Sequence, residues 1–453
     1  MASPAFVRPP CTRLVVLLAT LIAMPFGLAA DHELRPGDPW PVLGPGDTVH
    51  LAPGAYAGPW EIDVAGVRVE ADGATLTGPA EGSALILTAQ DVEVRGLAVR
   101  DAGAAPDLYA PDAAVWLLGC DRCRLAGLDT QGTPAGLRVE SSRDVRIEGA
   151  RLRGAPEGPG LTAYQADGLD LVDADVQGFL DGVYVERSDD VRIATSDIRD
   201  ARRYGLHVMF GAGLEVSDTT VTGGGVGSAV MYGRDARLSR NRFEGHVGPL
   251  AYGLLLQEMD GAVVEDTSLT GNTVGALVVS APDVRIARGT IAGSGTGLLV
   301  RRTPEAAASA VRVHDVRFAG NVADVAVDDP DAAVTLRGNA YDAASPLDRD
   351  GDGVSDTPYL PTSSFALLSS REPDLSLFAG SPGVRLWEAA EATVPGLRMA
   401  SLHDPAPRPA AAQGAGVDVS GAVAAWTALL LALAASVRVA AAPRRRAPAG
   451  AAR

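Results

Sequence analysis

A short unit recurs along most of this chain, and it leaves few folds open. Aligned on their first apolar residue, the segments run VEVRGLAVRD from Val92, CRLAGLDTQG from Cys123, VRIEGARLRG from Val145, LDLVDADVQG from Leu169 and VRIATSDIRD from Val191. They continue as LEVSDTTVTG from Leu214, ARLSRNRFEG from Ala236, AVVEDTSLTG from Ala262, VRIARGTIAG from Val284, VRVHDVRFAG from Val311 and AVTLRGNAYD from Ala333. From Cys123 onward the steps run from 22 to 27 residues, and 22 is the commonest. Each unit holds two short runs of alternating apolar and polar residues, the pattern of a strand with one buried face. Gly, Asp, Ser and Asn separate the runs, as turns require. A propeller blade needs about 40 residues, and a leucine-rich repeat shows fixed Leu and Asn positions that are absent here. The expected fold is all-β: a right-handed parallel β-helix of about eleven coils over 66–342, its hand taken from the general crossover preference.

The repeat dictates where side chains point. Leu137 and Val139, Val183 and Val185, Leu206 and Val208, Leu254 and Leu256 fill the lumen, so their neighbours face outward. That outer ladder reads Trp116 and Leu118, Arg138 and Glu140, Thr162 and Tyr164, Tyr184 and Glu186, His207 and Met209, Ala229 and Met231, Leu255 and Gln257, Leu277 and Val279. Coils stack about 4.8 Å apart. His207, Met209 and Met231 therefore form one outer patch beside Tyr184, extended by Leu255, Leu277 and Val279. Imidazole and thioether together suit Cu(I), a soft ion. An exposed Met and aromatic surface also suits a partner protein, and the residues alone favour that second reading.

Residues 1–30 have the basic start, apolar core and small-residue end of a secretory signal, and 31–65 is expected to cap the solenoid with Trp40, Tyr56 and Trp60. Asp and Glu total 56 against 39 basic residues, with no Lys, which argues against nucleic acid as a partner. Cys120 and Cys123 form a lone CxxC, read as a structural disulfide or two unpaired thiols. His32, His50, His246, His314 and His403 are scattered and read as surface or turn residues, His246 lying near Met231 in sequence. Over 343–415, Asp348, Asp350, Asp352 and Asp356 with Gly353 resemble the start of a Ca²⁺ loop, although Tyr359 stands where a bidentate Glu belongs. A tight acidic turn is the equal alternative. A cap and a Pro-rich tether follow. Residues 416–442 are apolar enough for one membrane-spanning helix, and 443–453 would be a basic cytoplasmic tail.

RYGLHVMF at Arg203–Phe210, MYGRDARLSRNRFEG at Met231–Gly245, AYGLLLQEMDG at Ala251–Gly261 and RGNAYDAASPLDRDGDGVSDTPYLP at Arg337–Pro361 occur in order. Together they resemble the NosD-type periplasmic proteins that help mature nitrous oxide reductase. The resemblance covers most of 31–385; Asn is sparser at the coil turns than in that family. It implies a non-enzymatic accessory of an ABC transporter, with an ATPase and a membrane subunit (NosF and NosY type), the copper chaperone NosL and nitrous oxide reductase as partners. On that reading His207, Met209 and Met231 are a candidate copper hand-over or docking site, with Tyr184, Leu255, Leu277 and Val279 docking a partner. The protein would be periplasmic, with Cu(I) held transiently and no organic cofactor; the span read at 416–442 departs from the family's soluble members and would add a tether to the inner membrane. The rival is a secreted polysaccharide lyase, hydrolase or epimerase, for which the outer ladder offers only Glu140, Glu186, Tyr164 and Tyr184.

Overall fold

The computed structural model describes residues 29–409, except 105–106, 108, 110–111, 330, 343, 345–346, 395–396 and 398–401. The expected signal segment, the apolar run at 416–442 and the basic tail lie outside the described residues. Among the described residues no helix is long and apolar enough to cross a membrane.

The alternating runs fold into three parallel sheets of 14, 12 and 13 strands, each coil adding one strand to each sheet. One coil thus contributes Arg192–Ala194, Asp197–Arg199 and Tyr204–Met209. Val, Leu and Ile side chains at the inward positions fill one continuous lumenal core from Leu34 to Tyr341. The solenoid has about thirteen coils rather than eleven. The difference lies at the N-terminal end. Residues 31–65, expected as a separate cap, carry the strands Asp31–Leu34, Thr48–Leu51, Gly54–Ala57 and Trp60–Ile62, which join the three sheets. Irregular loops such as 35–47 break the spacing there, so the repeat is not visible in the residues. Trp40 stacks on Trp60 at 4.4 Å with Tyr56 edge-on, as a local cluster of that first turn.

The turn polar groups are satisfied by a few recurring devices, as buried backbone requires. Asn241, Asn272, Asn321 and Asn339 each accept a backbone N–H of the previous coil through Oδ1 and donate through Nδ2 to a carbonyl of the same coil turn, at 2.9–3.1 Å. His246 belongs to this series. It is fully buried, not a surface residue, and its Nε2 lies 3.3 Å from the Val221 carbonyl, where an Asn amide sits in neighbouring coils. Burial pushes its pKa down.

The far end is closed by chain that returns. Helix α1 (Ser364–Arg371) starts at Ser363, whose Oγ accepts from Ala366 N, and α2 (Pro382–Thr393) starts at Ser381 in the same way. Then Asp404, fully buried, accepts from Gly338 N, Asn339 N and Asn339 Nδ2 at 3.2, 3.0 and 2.9 Å. The segment expected as a tether is therefore pinned along the last coil, with Arg408 bridged to Ala340.

The candidate copper and docking face

The second sheet carries the outer ladder, in the expected register. Tyr184 pairs with His207 and His207 with Ala229; Glu186 pairs with Met209 and Met209 with Met231. Met209 and Met231 are thus direct neighbours on adjacent coils, both half-buried. Leu255, Leu277 and Val279 continue the same face, also in register.

One local departure from simple alternation builds the site. Leu206 and Val208 face the lumen, so Tyr204 is expected inside. It instead packs outward, against the cluster formed by Val226, Ala229, Leu255 and Leu277. Gly205 allows this. A Cβ at that position would lie 2.2 Å from Val221 Cγ1 and 2.6 Å from the Gly227 carbonyl, so only glycine lets the coils close there. The coil before repeats the device at Gly182, and Asp181, paired with Tyr204, is likewise outward of the lumen.

These turned-out residues enclose His207, which is 5 % exposed. Its ring lies 4.3 Å from Tyr204 and 5.0 Å from Tyr184, centroid to centroid. Its Nδ1 is 2.9 Å from Asp181 Oδ2. Arg203 donates to both oxygens of the same carboxylate, Nε to Oδ1 at 2.8 Å and Nη2 to Oδ2 at 2.6 Å. Burial alone would push the Asp181 carboxyl up. The hydrogen bonds from Arg203 and His207 outweigh it and hold the group below the ordinary carboxylate value. Tyr184 donates its hydroxyl to Glu186 at 2.5 Å, and burial pushes that phenol up. Asp181, Arg203 and Tyr204 are not visible as site residues from alternation. The signal that marks them is the Gly one residue after the turned-out position, with Asp181 and Arg203 one coil apart.

The ladder is less open than expected. Tyr184, Leu255 and Leu277 are 1, 7 and 4 % exposed, and only Val279 is half-buried. Leu255 and Leu277 belong to a second apolar cluster on the outer face, with Leu299 and Ala326, against which Val279 and Tyr252 pack, instead of presenting a free surface. The exposed apolar surface lies one residue further along. Phe210 and Tyr232 are 48 and 39 % exposed and stack at 5.2 Å with 15° between ring planes. Both sit in the left-handed region, φ 56° and 57°, where bulky side chains are uncommon. Beside Phe210 opens a groove of about 470 Å³ lined by Arg143, Gln165, Asp167, Arg187 and Asp189 among others.

Cys120 and Cys123 are joined as a disulfide within the core. Carboxylate oxygens of Asp348, Asp350 and Asp352 lie within 4.8 Å of one another. Asp356 is not in that group and accepts from Arg349 N at 2.8 Å. Asp348 also accepts from Gly351 and Gly353, and those backbone donors hold its carboxyl below the usual range. Tyr359 packs on Tyr341 at 4.4 Å.

Residues 151–344 match the family described as periplasmic copper-binding protein (NosD). No curated protein matches the chain. Among solved structures, a mutant of the periplasmic alginate epimerase AlgG is similar at 12% identity, over 64% of this chain and 79% of that one, with a TM-score of 0.47. Dettilon tailspike protein is similar at 10% identity, over 65% and 60% of the two chains, with a TM-score of 0.42. A mannuronan C-5 epimerase A-module from Azotobacter vinelandii is similar at 16% identity, over 65% and 85%, with a TM-score of 0.38. The chain spans less than two thirds of the tailspike protein's length, and likeness at this level carries no chemistry over. The family match falls on the coils that hold His207, Met209 and Met231, so the stretch of the parallel β-solenoid that carries this patch is the stretch similar to the NosD family.

Proposed function

We propose that this protein is a non-catalytic periplasmic accessory of an ABC transporter, and that it supports assembly of the copper–sulfur centre of nitrous oxide reductase. The observation that carries the reading is the family match over 151–344, which contains the patch. The donor chemistry fits copper as cargo. Two thioethers paired across adjacent coils and one imidazole whose Nε2 meets no partner among the described residues are a soft set suited to Cu(I). The cargo would be taken by His207, Met209 and Met231 and passed between NosL and the reductase. The exposed Phe210–Tyr232 pair, adjoining Met209 and Met231 in sequence, is the surface on which that partner would dock, in place of the buried Leu255 and Leu277. The ATPase and membrane subunit of NosF and NosY type would hold the protein at the inner membrane, with the apolar run of sequence at 416–442 as a further tether. The acidic loop at Asp348, Asp350 and Asp352 would take Ca²⁺, a hard ion suited to carboxylate oxygens. Of the ladder carboxylates that a sugar-active enzyme would use, Glu140 is bound by Arg138 at 2.6 Å and Glu186 by Tyr184, so neither favours the enzyme reading.

The test is Cu(I) titration against a competing chelator with the purified full-length protein, wild type and Met209→Ala/Met231→Ala. We expect binding in the wild type and its loss in the double variant. Equal binding in both, together with unchanged capture of the transporter subunits and chaperone, would remove the patch from the mechanism.

A further inference from the structure

A His ligand needs one ring nitrogen with a free lone pair, and which nitrogen that is depends on what holds the other. Here the other is held by a group with no proton to give. Asp181 is fully buried and receives two hydrogen bonds from the Arg203 guanidinium, 2.8 and 2.6 Å, the geometry of a bidentate ion pair. A carboxylate so paired is an acceptor only. The 2.9 Å contact between its Oδ2 and His207 Nδ1 therefore requires the proton on Nδ1. Arg203 Nη2 also lies 3.5 Å from Nδ1, but that is the longer contact, and an unprotonated Nδ1 would set its lone pair against the carboxylate oxygen 2.9 Å away. No described residue bonds His207 Nε2. The rings of Tyr204 and Tyr184 pack against the imidazole and limit its rotation.

We propose that Asp181, clamped by Arg203, is a positioning residue that fixes the Nδ1–H form of His207 and so presents Nε2 as the electron-pair donor to the cargo ion. The inference rests on the copper reading for its purpose, but the tautomer itself does not. Asp181→Asn tests it with the shape of the site conserved. Arg203 would still donate to the Asn oxygen, so the amide N–H₂ would face Nδ1 and push the ring proton to Nε2, occupying the ligand position.

The experiment is histidine-selective ¹⁵N NMR on the full chain, which has 6 His, with His207→Gln for assignment, followed by Cu(I) competition on the same samples. The expected result is a protonated Nδ1 and bare Nε2 in the wild type, the reverse in Asp181→Asn, and Cu(I) affinity lowered about 10–100-fold in that variant. A wild-type ring protonated on Nε2, or one that keeps its tautomer in Asp181→Asn, overturns the proposal, and the wild-type spectrum decides it even if the variant fails to fold. A tautomer that inverts with no change in Cu(I) affinity overturns its role toward copper. Normal Cu(I) binding by Met209→Ala/Met231→Ala sinks the copper reading separately, because that variant leaves the tautomer untouched.

Discussion

One sheet of the solenoid presents two different outer faces. From Asp181 to Met231 the outward residues include an ion pair, an imidazole, two phenols and two thioethers, beside Glu186, Val226 and Ala229. From Leu255 through Leu277 and Leu299 to Ala326 they are aliphatic and form most of a buried cluster that reaches back to Val226 and Ala229 and packs against Tyr204 and Met231. The backbone does not distinguish the two stretches, since both are parallel ladders in the same register. Lumen and ladder hold the coils together, so the outward positions are free to differ. Two buried carboxylates mark the contrast. Asp181 is met by a guanidinium and an imidazole, and its pKa is held down. Asp324, at the end of the aliphatic stretch, is met by the Asn321 amide at 3.1 Å, and burial pushes it up to about 6.

The largest effect is expected from Asp181→Ala. It leaves the Arg203 guanidinium without its counter-charge and the His207 Nδ1–H without its acceptor, and breaking a buried pair from one side costs about 4 kcal/mol. Urea unfolding at pH 7 measures it; a loss under about 1 kcal/mol would mean that the guanidinium and imidazole find water instead. The pH dependence has a definite sign. A carboxyl with a lowered folded pKa contributes stability above its unfolded value near 4 and loses it as pH falls through the folded value. Asp181→Ala should therefore flatten the acid limb of the stability curve.

Asp324→Asn should act in the opposite direction. Its folded pKa is raised to about 6, so above that pH the fold carries an ionised carboxylate that it disfavours. Removing the charge should stabilise the protein by up to about 3 kcal/mol at pH 8. The gain should vanish below about pH 4, where the carboxyl is protonated in folded and unfolded states alike. Unfolding midpoints at pH 4, 6 and 8 check this, and a gain independent of pH would assign it to packing instead of charge.

The coils and their register were legible in the residues because one lumen imposes one spacing on every strand. Leu206 and Val208 point in, and His207 and Met209 point out, as alternation demands. The first coil was not legible, because 35–47 interrupts the period. Asp181 and Tyr204 were hidden by the same logic that found their neighbours. Strict alternation puts Tyr204 inside, and only the close approach of coils at Gly182 and Gly205 turns that position out. The burial of Leu255 and Leu277 was hidden as well, since facing away from a lumen does not make a side chain exposed. His246 shows the converse: a polar residue at a turn, buried where its Nε2 meets the carbonyl that an Asn amide meets in neighbouring coils.

The smallest effect on stability, and the sharpest separation of scaffold from surface, is expected from Phe210→Asn/Tyr232→Asn. Both positions have φ near +57°, a conformation that Asn adopts more readily than an aromatic residue. Their rings stack in the open, so little burial is lost with them. Relief of backbone strain and loss of the ring contact are each about 1 kcal/mol, opposite in sign. The unfolding midpoint should hardly move. If the pair is the docking surface of the polar stretch, capture of the chaperone by the full-length protein should nevertheless fall, while Cu(I) affinity stays at the wild-type level. Unchanged capture would shift docking elsewhere, first to the groove between Arg143 and Arg187. A large loss of stability would instead show that the rings hold the turn, and that this outer face is scaffold after all.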